Sequence, residues 1–190
     1  DEREGCGIQL KDGTIVVGVF YNNLYTSDGT YNWNSRDGNT AIVSKEKYDD
    51  GRHSLGAHIV TSKDNGKTWS KPNYIQTVGM PFSNIEGPTD APIEMPDGSL
   101  IMGVIGYQFG GDAKNNASVM LRSTDKEKTW QFLSAIASDP SGKLGGFLEP
   151  GIVRTKSGRI IAGLRNAAPE GAIYMTYSDD NGRTWVPAWK

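Results

Sequence analysis

The sequence predicts an all-β fold assembled from repeated four-stranded antiparallel blades, and three observations carry that reading. The octapeptide Ser178-Asp179-Asp180-Asn181-Gly182-Arg183-Thr184-Trp185 returns as Ser62-Lys63-Asp64-Asn65-Gly66-Lys67-Thr68-Trp69, and again without its glycine as Ser123-Thr124-Asp125-Lys126-Glu127-Lys128-Thr129-Trp130. Upstream of each copy stands a strand, a turn of the Asp-Gly or Ser-Gly type and an apolar strand. Nowhere does an apolar period of 3.6 residues persist long enough for a helix.

The octapeptide has the chemistry of a stapled turn. Ser and Asp side chains bond backbone amides a few residues on, Gly supplies a positive φ, and Thr and Trp resume a strand whose indole packs on its neighbours. Identical turns repeated along a chain mark architecture. Ser62, Asp64, Gly66, Trp69, Ser123, Asp125, Trp130, Ser178, Asp180, Gly182 and Trp185 are therefore read as structural, and no catalytic role is given to the three aspartates.

The hairpins run over residues 7–20, 91–104 and 151–164, with Asp12-Gly13, Asp97-Gly98 and Ser157-Gly158 at their tips, dipeptides suited to two-residue loops. A third strand leads into each octapeptide and a fourth follows its Trp. The units are residues 1–78, 79–138 and 139–190, all parts of one domain. Each is a blade of a β-propeller, and propellers close with about 4–8 blades around a channel because an open row exposes the faces of its end members. Three blades do not close a ring, so the expectation is a longer protein, or two copies combining. Blade one carries a long insertion, residues 21–56, in which five aromatic residues stand among Asn, Asp and Ser. Loops of that length are functional or disordered.

Composition narrows the classes. A net charge of −2 with scattered Lys and Arg argues against nucleic acid as a partner. No run reaches the roughly 18 apolar residues of a membrane helix. Cys6 is the single cysteine, His53 and His58 the only histidines, and Asp49-Asp50 lacks the spacing of a calcium loop, so no metal and no cofactor is expected.

A blade has two ends. Turns and octapeptides share one, and the other receives the starts of first strands and the ends of second strands. Seven residues after the turn glycines stand Phe20, Ile105 and Arg165; nine before them stand Glu4, Thr89 and Glu149. Only the third blade brings a carboxylate and a guanidinium together there, and Arg165 breaks the apolar pattern its sister blades keep. Off-pattern residues are where function concentrates. Asp90 and Tyr107 lie near the same rim and join the candidates for lining a substrate.

With these residues in place, the chain resembles the sialidase (neuraminidase) superfamily, whose six-bladed propellers carry Asp-box repeats. Glu149-Pro150-Gly151-Ile152-Val153, then Ser157-Gly158-Arg159-Ile160-Ile161 and Arg165-Asn166, is similar to the family segment in which a glutamate precedes a strand-turn-strand and an arginine ends it. The resemblance implies that Glu149 acts as base toward a tyrosine nucleophile and that Arg165 grips the substrate carboxylate. It also implies that the acid/base aspartate and a first arginine precede these blades, while a third arginine and the tyrosine follow them. The expected function is a sialidase-like exo-glycoside hydrolase acting on terminal sialic acid or a related acidic sugar of a glycan. By this reading the 190-residue chain is inactive alone, and the setting is secreted, periplasmic or cell-surface. The alternative is a non-catalytic Asp-box propeller that binds a glycan or a protein.

Overall fold

The computed structural model describes residues 2–21, 57–77, 79–82, 84–107, 116–166, 168 and 171–190; the insertion from residue 22 to 56 and residues 108–115 lie outside the described residues. The described residues form three antiparallel sheets and no helix. The first contains β1 (Glu2–Gln9), β2 (Ile15–Tyr21), β3 (Ala57–Ser62) and β4 (Asn73–Tyr74), in chain order. In the second, β5 (Asn84–Glu86) and β6 (Ile93–Glu94) are two pieces of one interrupted strand against β7 (Leu100–Tyr107), followed by β8 (Ala117–Ser123) and β9 (Gln131–Ala137). The third contains β10 (Phe147–Arg154), β11 (Ile160–Asn166) and β12 (Ile173–Ser178). Its fourth position is reduced to the bridge between Met175 and Trp189, because Pro187, two residues before Trp189, has no N–H to donate to a ladder.

The hairpin tips differ from the two-residue loops their dipeptides suggest. Leu10, Met95 and Thr155 each donate N–H to the carbonyl four residues on at 2.8 Å, enclosing three residues of which the last is a left-handed glycine. Side chains select this longer loop: Asp12 Oδ1 accepts from Thr14 N and Asp97 Oδ1 from Ser99 N, both at 3.0 Å.

The octapeptides share one hydrogen-bond pattern. Ser62, Ser123 and Ser178 donate Oγ–H to the aspartate two residues on, at 2.7–2.9 Å, and accept from the amide four residues on at 2.9–3.0 Å. The aspartates accept the Thr68, Thr129 and Thr184 hydroxyls at 2.6 Å. The hydrogen bonds of Thr68 hold Asp64 below the usual carboxylate range, and those of Thr184 do the same for Asp180. For Asp125, burial pulls upward, but the hydrogen bonds from Thr129 and Ser123 together outweigh it.

Packing between sheets follows strand alternation. Leu100, Met102 and Val104 of β7 join the first sheet's Val16 and Ile59 in one core, whereas Ile101 faces the third sheet's Ile152, Ile160 and Leu164 in another. Both faces of the second sheet are covered, which is why β7 reads as a continuous apolar run instead of an alternation. The indoles mark the same order. Trp130 packs into the core shared with the first sheet, and Trp185 packs beside the second sheet while donating Nε1–H to Ser134 Oγ at 3.0 Å. Trp69, in the first sheet, remains 47% exposed.

Box two departs from its sisters at the glycine position. Glu127 takes φ +68, and its Oε2 is buried without a hydrogen-bond partner. Burial, with the neighbouring Asp125 charge, pushes its carboxyl up. Glu127→Gly relieves a left-handed side chain costing roughly 1–2 kcal/mol against about 0.5–1 kcal/mol of added chain entropy. Urea denaturation should show a gain of up to about 1.5 kcal/mol. Gly182→Ala, at φ +83 with only ordinary contacts around the new Cβ, should lose about 1–2 kcal/mol.

The depressed box aspartates also set an acid limit. Their folded pKa lies below the unfolded value of about 3.9, so their contribution is present above that pH and disappears as pH falls below it. The melting temperature should hold from pH 7 to about 5 and drop below about 4. Asp180→Asn should melt lower than the parent at pH 7, with the deficit narrowing below about pH 4. A deficit independent of pH would contradict the assignment.

Candidate functional site

The third sheet places Glu149 and Arg165 together at the end away from its turn, with Arg165 Nη1 donating to Glu149 Oε1 at 2.6 Å. Counting back from the turn puts Glu149 opposite Arg165, but the ladder pairs Leu148 with Arg165 and next Gly151 with Gly163. Glu149 and Pro150 therefore stand against Leu164 alone. This bulge shifts the alternation, so that Phe147 and Ile152 both face the core and the Glu149 side chain turns out to solvent.

The bulge imposes φ +48 on Glu149. A left-handed backbone costs a non-glycine residue about 1–3 kcal/mol. The Glu149–Arg165 pair does not offset that cost, because both side chains are about half exposed and such pairs contribute about 0–1 kcal/mol. The ion pair does not account for this geometry, and strain of this kind clusters at functional sites.

Three neighbours hold the bulge. Pro150 fits over Gly103 of β7, where an added Cβ would lie 3.1 Å from Pro150 Cγ and 3.2 Å from its carbonyl oxygen. Asp90, in the interruption between β5 and β6, accepts from Ile152 N at 2.9 Å through Oδ2, while Oδ1 takes its own neighbour Ala91 N at 2.7 Å. Asn166, buried beside Arg165, donates to the carbonyls of Leu144 and Gly146 and accepts from Ala168 N. The loop it grips is organised by Asp139, whose carboxyl is held low first by the Ser141 hydroxyl and then by Leu144 N.

The structure thus gathers Glu149, Arg165 and Asp90 at one seam between sheets. Asp90 arrives with both oxygens committed to backbone amides. Tyr107 ends β7 opposite Asn84, and its side chain lies outside the described residues. The box residues sit at the other end of each sheet. Thr89 is not the counterpart of Glu149. The interruption of the first strand pairs Glu86 with Ile105, and Gly87 precedes Pro88 over Gly18 as Glu149 precedes Pro150 over Gly103. Sequence reasoning missed Asn166 and Asp139 as positioning residues, although an Asp-x-Ser turn and an Asn directly after Arg165 were visible.

A family profile described as BNR repeat-like domain matches residues 30–189. The chain belongs to this family. No curated protein matches the chain. Among solved structures, this BNR repeat-like chain is similar to a protein of unknown function from Dyadobacter fermentans, with 23% identity, TM-score 0.74, and coverage of 100% of this chain and 50% of that one. It is similar to the Hadza microbial sialidase Hz136, with 19% identity, TM-score 0.63, and coverage of 96% and 32%. It is also similar to the alpha-L-arabinofuranosidase Arb93A from Fusarium graminearum, with 17% identity, TM-score 0.65, and coverage of 100% and 48%. These likenesses show the fold, a sialidase-type β-propeller arrangement. The chain spans half the length or less of these relatives.

The Gly103–Pro150 contact predicts a contrast between two equivalent glycines. Gly103→Ala should lose about 1–3 kcal/mol by overpacking and shift the NMR signals of Glu149 and Arg165. Gly163→Ala, whose Cβ would meet only Met175 Sδ at 3.7 Å, should leave both nearly unchanged. Equal effects of the two substitutions would rule out Pro150 as the anchor of the bulge.

Proposed function

We propose that the chain supplies part of the catalytic site of a sialidase-like exo-glycoside hydrolase that removes terminal sialic acid or a related acidic sugar from glycans. The observation that carries this reading is the exposed Glu149–Arg165 pair, 2.6 Å apart on a strained bulge. Arg165 has five N–H donors in a planar fork. With one committed to Glu149, the remainder are available to grip a substrate carboxylate. Glu149 accepts the proton of a tyrosine nucleophile contributed from outside the described residues. A phenol suits an acidic sugar because, before it loses its proton, it does not repel the substrate's own carboxylate. Relatives named as a sialidase and an arabinofuranosidase support glycoside hydrolysis, and the guanidinium favours the acidic sugar over neutral arabinose. The remaining site residues come from further blades of a longer exported protein or from a second copy.

One observation favours a second reading. Among the described residues, Glu149 hydrogen-bonds Arg165 and no phenol. A propeller that only binds an acidic glycan needs the arginine and no nucleophile.

The protein that carries these 190 residues should be assayed with a fluorogenic sialoside, with a fluorogenic arabinofuranoside for comparison. Glu149→Gln should lower kcat by about 10²–10⁴-fold without changing the melting temperature, and Arg165→Ala should raise KM for the sialoside. Undiminished turnover in Glu149→Gln would reject the catalytic role. Saturable sialic acid binding without any turnover would select the binding module.

A further inference from the structure

At the other end of the sheets, the hairpin turn of one sheet lies against the Asp box of the next. Between the first and second sheets an ion pair crosses this cleft, Asp12 Oδ2 accepting from Lys126 Nζ at 2.9 Å. Between the second and third sheets the equivalent bridge is not made. Asp97 stands where Asp12 does, but Arg122 of its own sheet takes it, with Nη2 donating to Oδ2 at 2.6 Å and Nε donating to Ser99 Oγ at 3.1 Å. Ser99 in turn donates Oγ–H to Asp97 Oδ1 at 2.6 Å. The position of Lys126 is held by the uncharged Asn181.

The cleft at this second seam is a cavity of about 250 Å³ whose lining includes Arg122, Arg154 and Arg183 with one carboxylate, Asp97. Arg154 has no acceptor among the described residues, and its Nε is buried. A buried N–H without an acceptor carries an unrepaid desolvation cost. Arg183 donates Nη1–H to the carbonyl of Asp180 at 3.0 Å and has no acidic partner among the described residues. Two guanidinium charges are therefore unneutralised in one small cleft of a chain whose net charge is −2.

We propose that this cleft binds a sulfate or phosphate group. Planar guanidinium forks match the oxygens of such an anion by charge-assisted, paired hydrogen bonds. A doubly charged tetrahedral group would balance the surplus, and one of its oxygens would give Arg154 an acceptor. The volume lies below the roughly 300–1,000 Å³ of pockets that enclose drug-sized ligands, which suits a single anionic group. That group is either a free inorganic ion or an ester on a sugar whose remainder lies outside the cleft. The site is separate from Glu149: Arg154 lies five residues away along β10, roughly 16 Å at about 3.3 Å per residue.

The protein that carries these 190 residues, isotopically labelled, tests the proposal by titration with sodium sulfate and sodium phosphate against sodium chloride of equal ionic strength. The expected result is saturable shifts of the Ser99, Asn181 and Arg183 amides and of the Arg154 side-chain Nε–H with sulfate or phosphate, and none of that kind with chloride. Arg183→Gln, a change at an exposed side chain that leaves folding intact, should weaken binding about tenfold. Arg154→Lys, which keeps the charge and loses the buried N–H, should weaken it as well. Glu149→Gln should bind the anion as the parent does. Tighter binding of glucosamine 6-sulfate or mannose 6-phosphate than of the inorganic ions identifies an ester as the ligand, and the reverse order a free anion. Shifts that follow ionic strength alone, or unchanged affinity in Arg183→Gln, would overturn the proposal.

Discussion

The arrangement depends on a glycine in the second strand of one sheet against which a proline of the next sheet packs. Pro88 sits over Gly18 and Pro150 over Gly103, so close that a methyl group at either glycine would meet the ring at 2.4 Å and 3.1 Å respectively. The contact lets successive sheets approach face to face, and their interdigitated side chains then form the two cores. It also fixes the phase of the next sheet's first strand. Glu149 precedes the second of these prolines, so the residue with the most chemistry in the chain inherits its backbone from a packing contact.

That inheritance explains why the candidate site lies at a seam between sheets. Asp90 reaches from the second sheet to the amide of Ile152, and Asn166 ties the end of β11 to the loop that feeds β10. The strain at Glu149 is opposed by these contacts and not by its own ion pair, which is too exposed to contribute much. A carboxylate and a guanidinium are thus held in a defined geometry while both remain open to solvent, a combination suited to meeting a ligand.

The two ends of the blades divide the work. Hairpin tips and Asp boxes satisfy their own backbone amides and set the register, and the bulged end carries the divergent side chains. Equivalent positions nonetheless differ at the first end. Lys126 spans one inter-sheet cleft with an ion pair to Asp12, while Asn181, Arg154 and Arg183 leave the next one unbridged and positively charged. A repeat offers the same geometry several times, and single substitutions decide which copy becomes a site.

Much of this was legible in the residues. The three octapeptides report turns through side-chain chemistry that acts within a few residues, and the apolar strands report themselves through alternation, so blades, their antiparallel order and their two ends follow from the sequence. Arg165 is visible as the charged residue that ends an apolar run, and Glu149 as its carboxylate partner at the same end. What the tertiary structure decided is how they meet. The bulge at Glu149, the carboxylate of Asp90 on a distant amide, the displacement of Thr89 from the expected register and the arginine cleft between sheets all arise from contacts between separate sheets. Local propensity does not encode such contacts, because they depend on which faces pack and how closely the backbones approach.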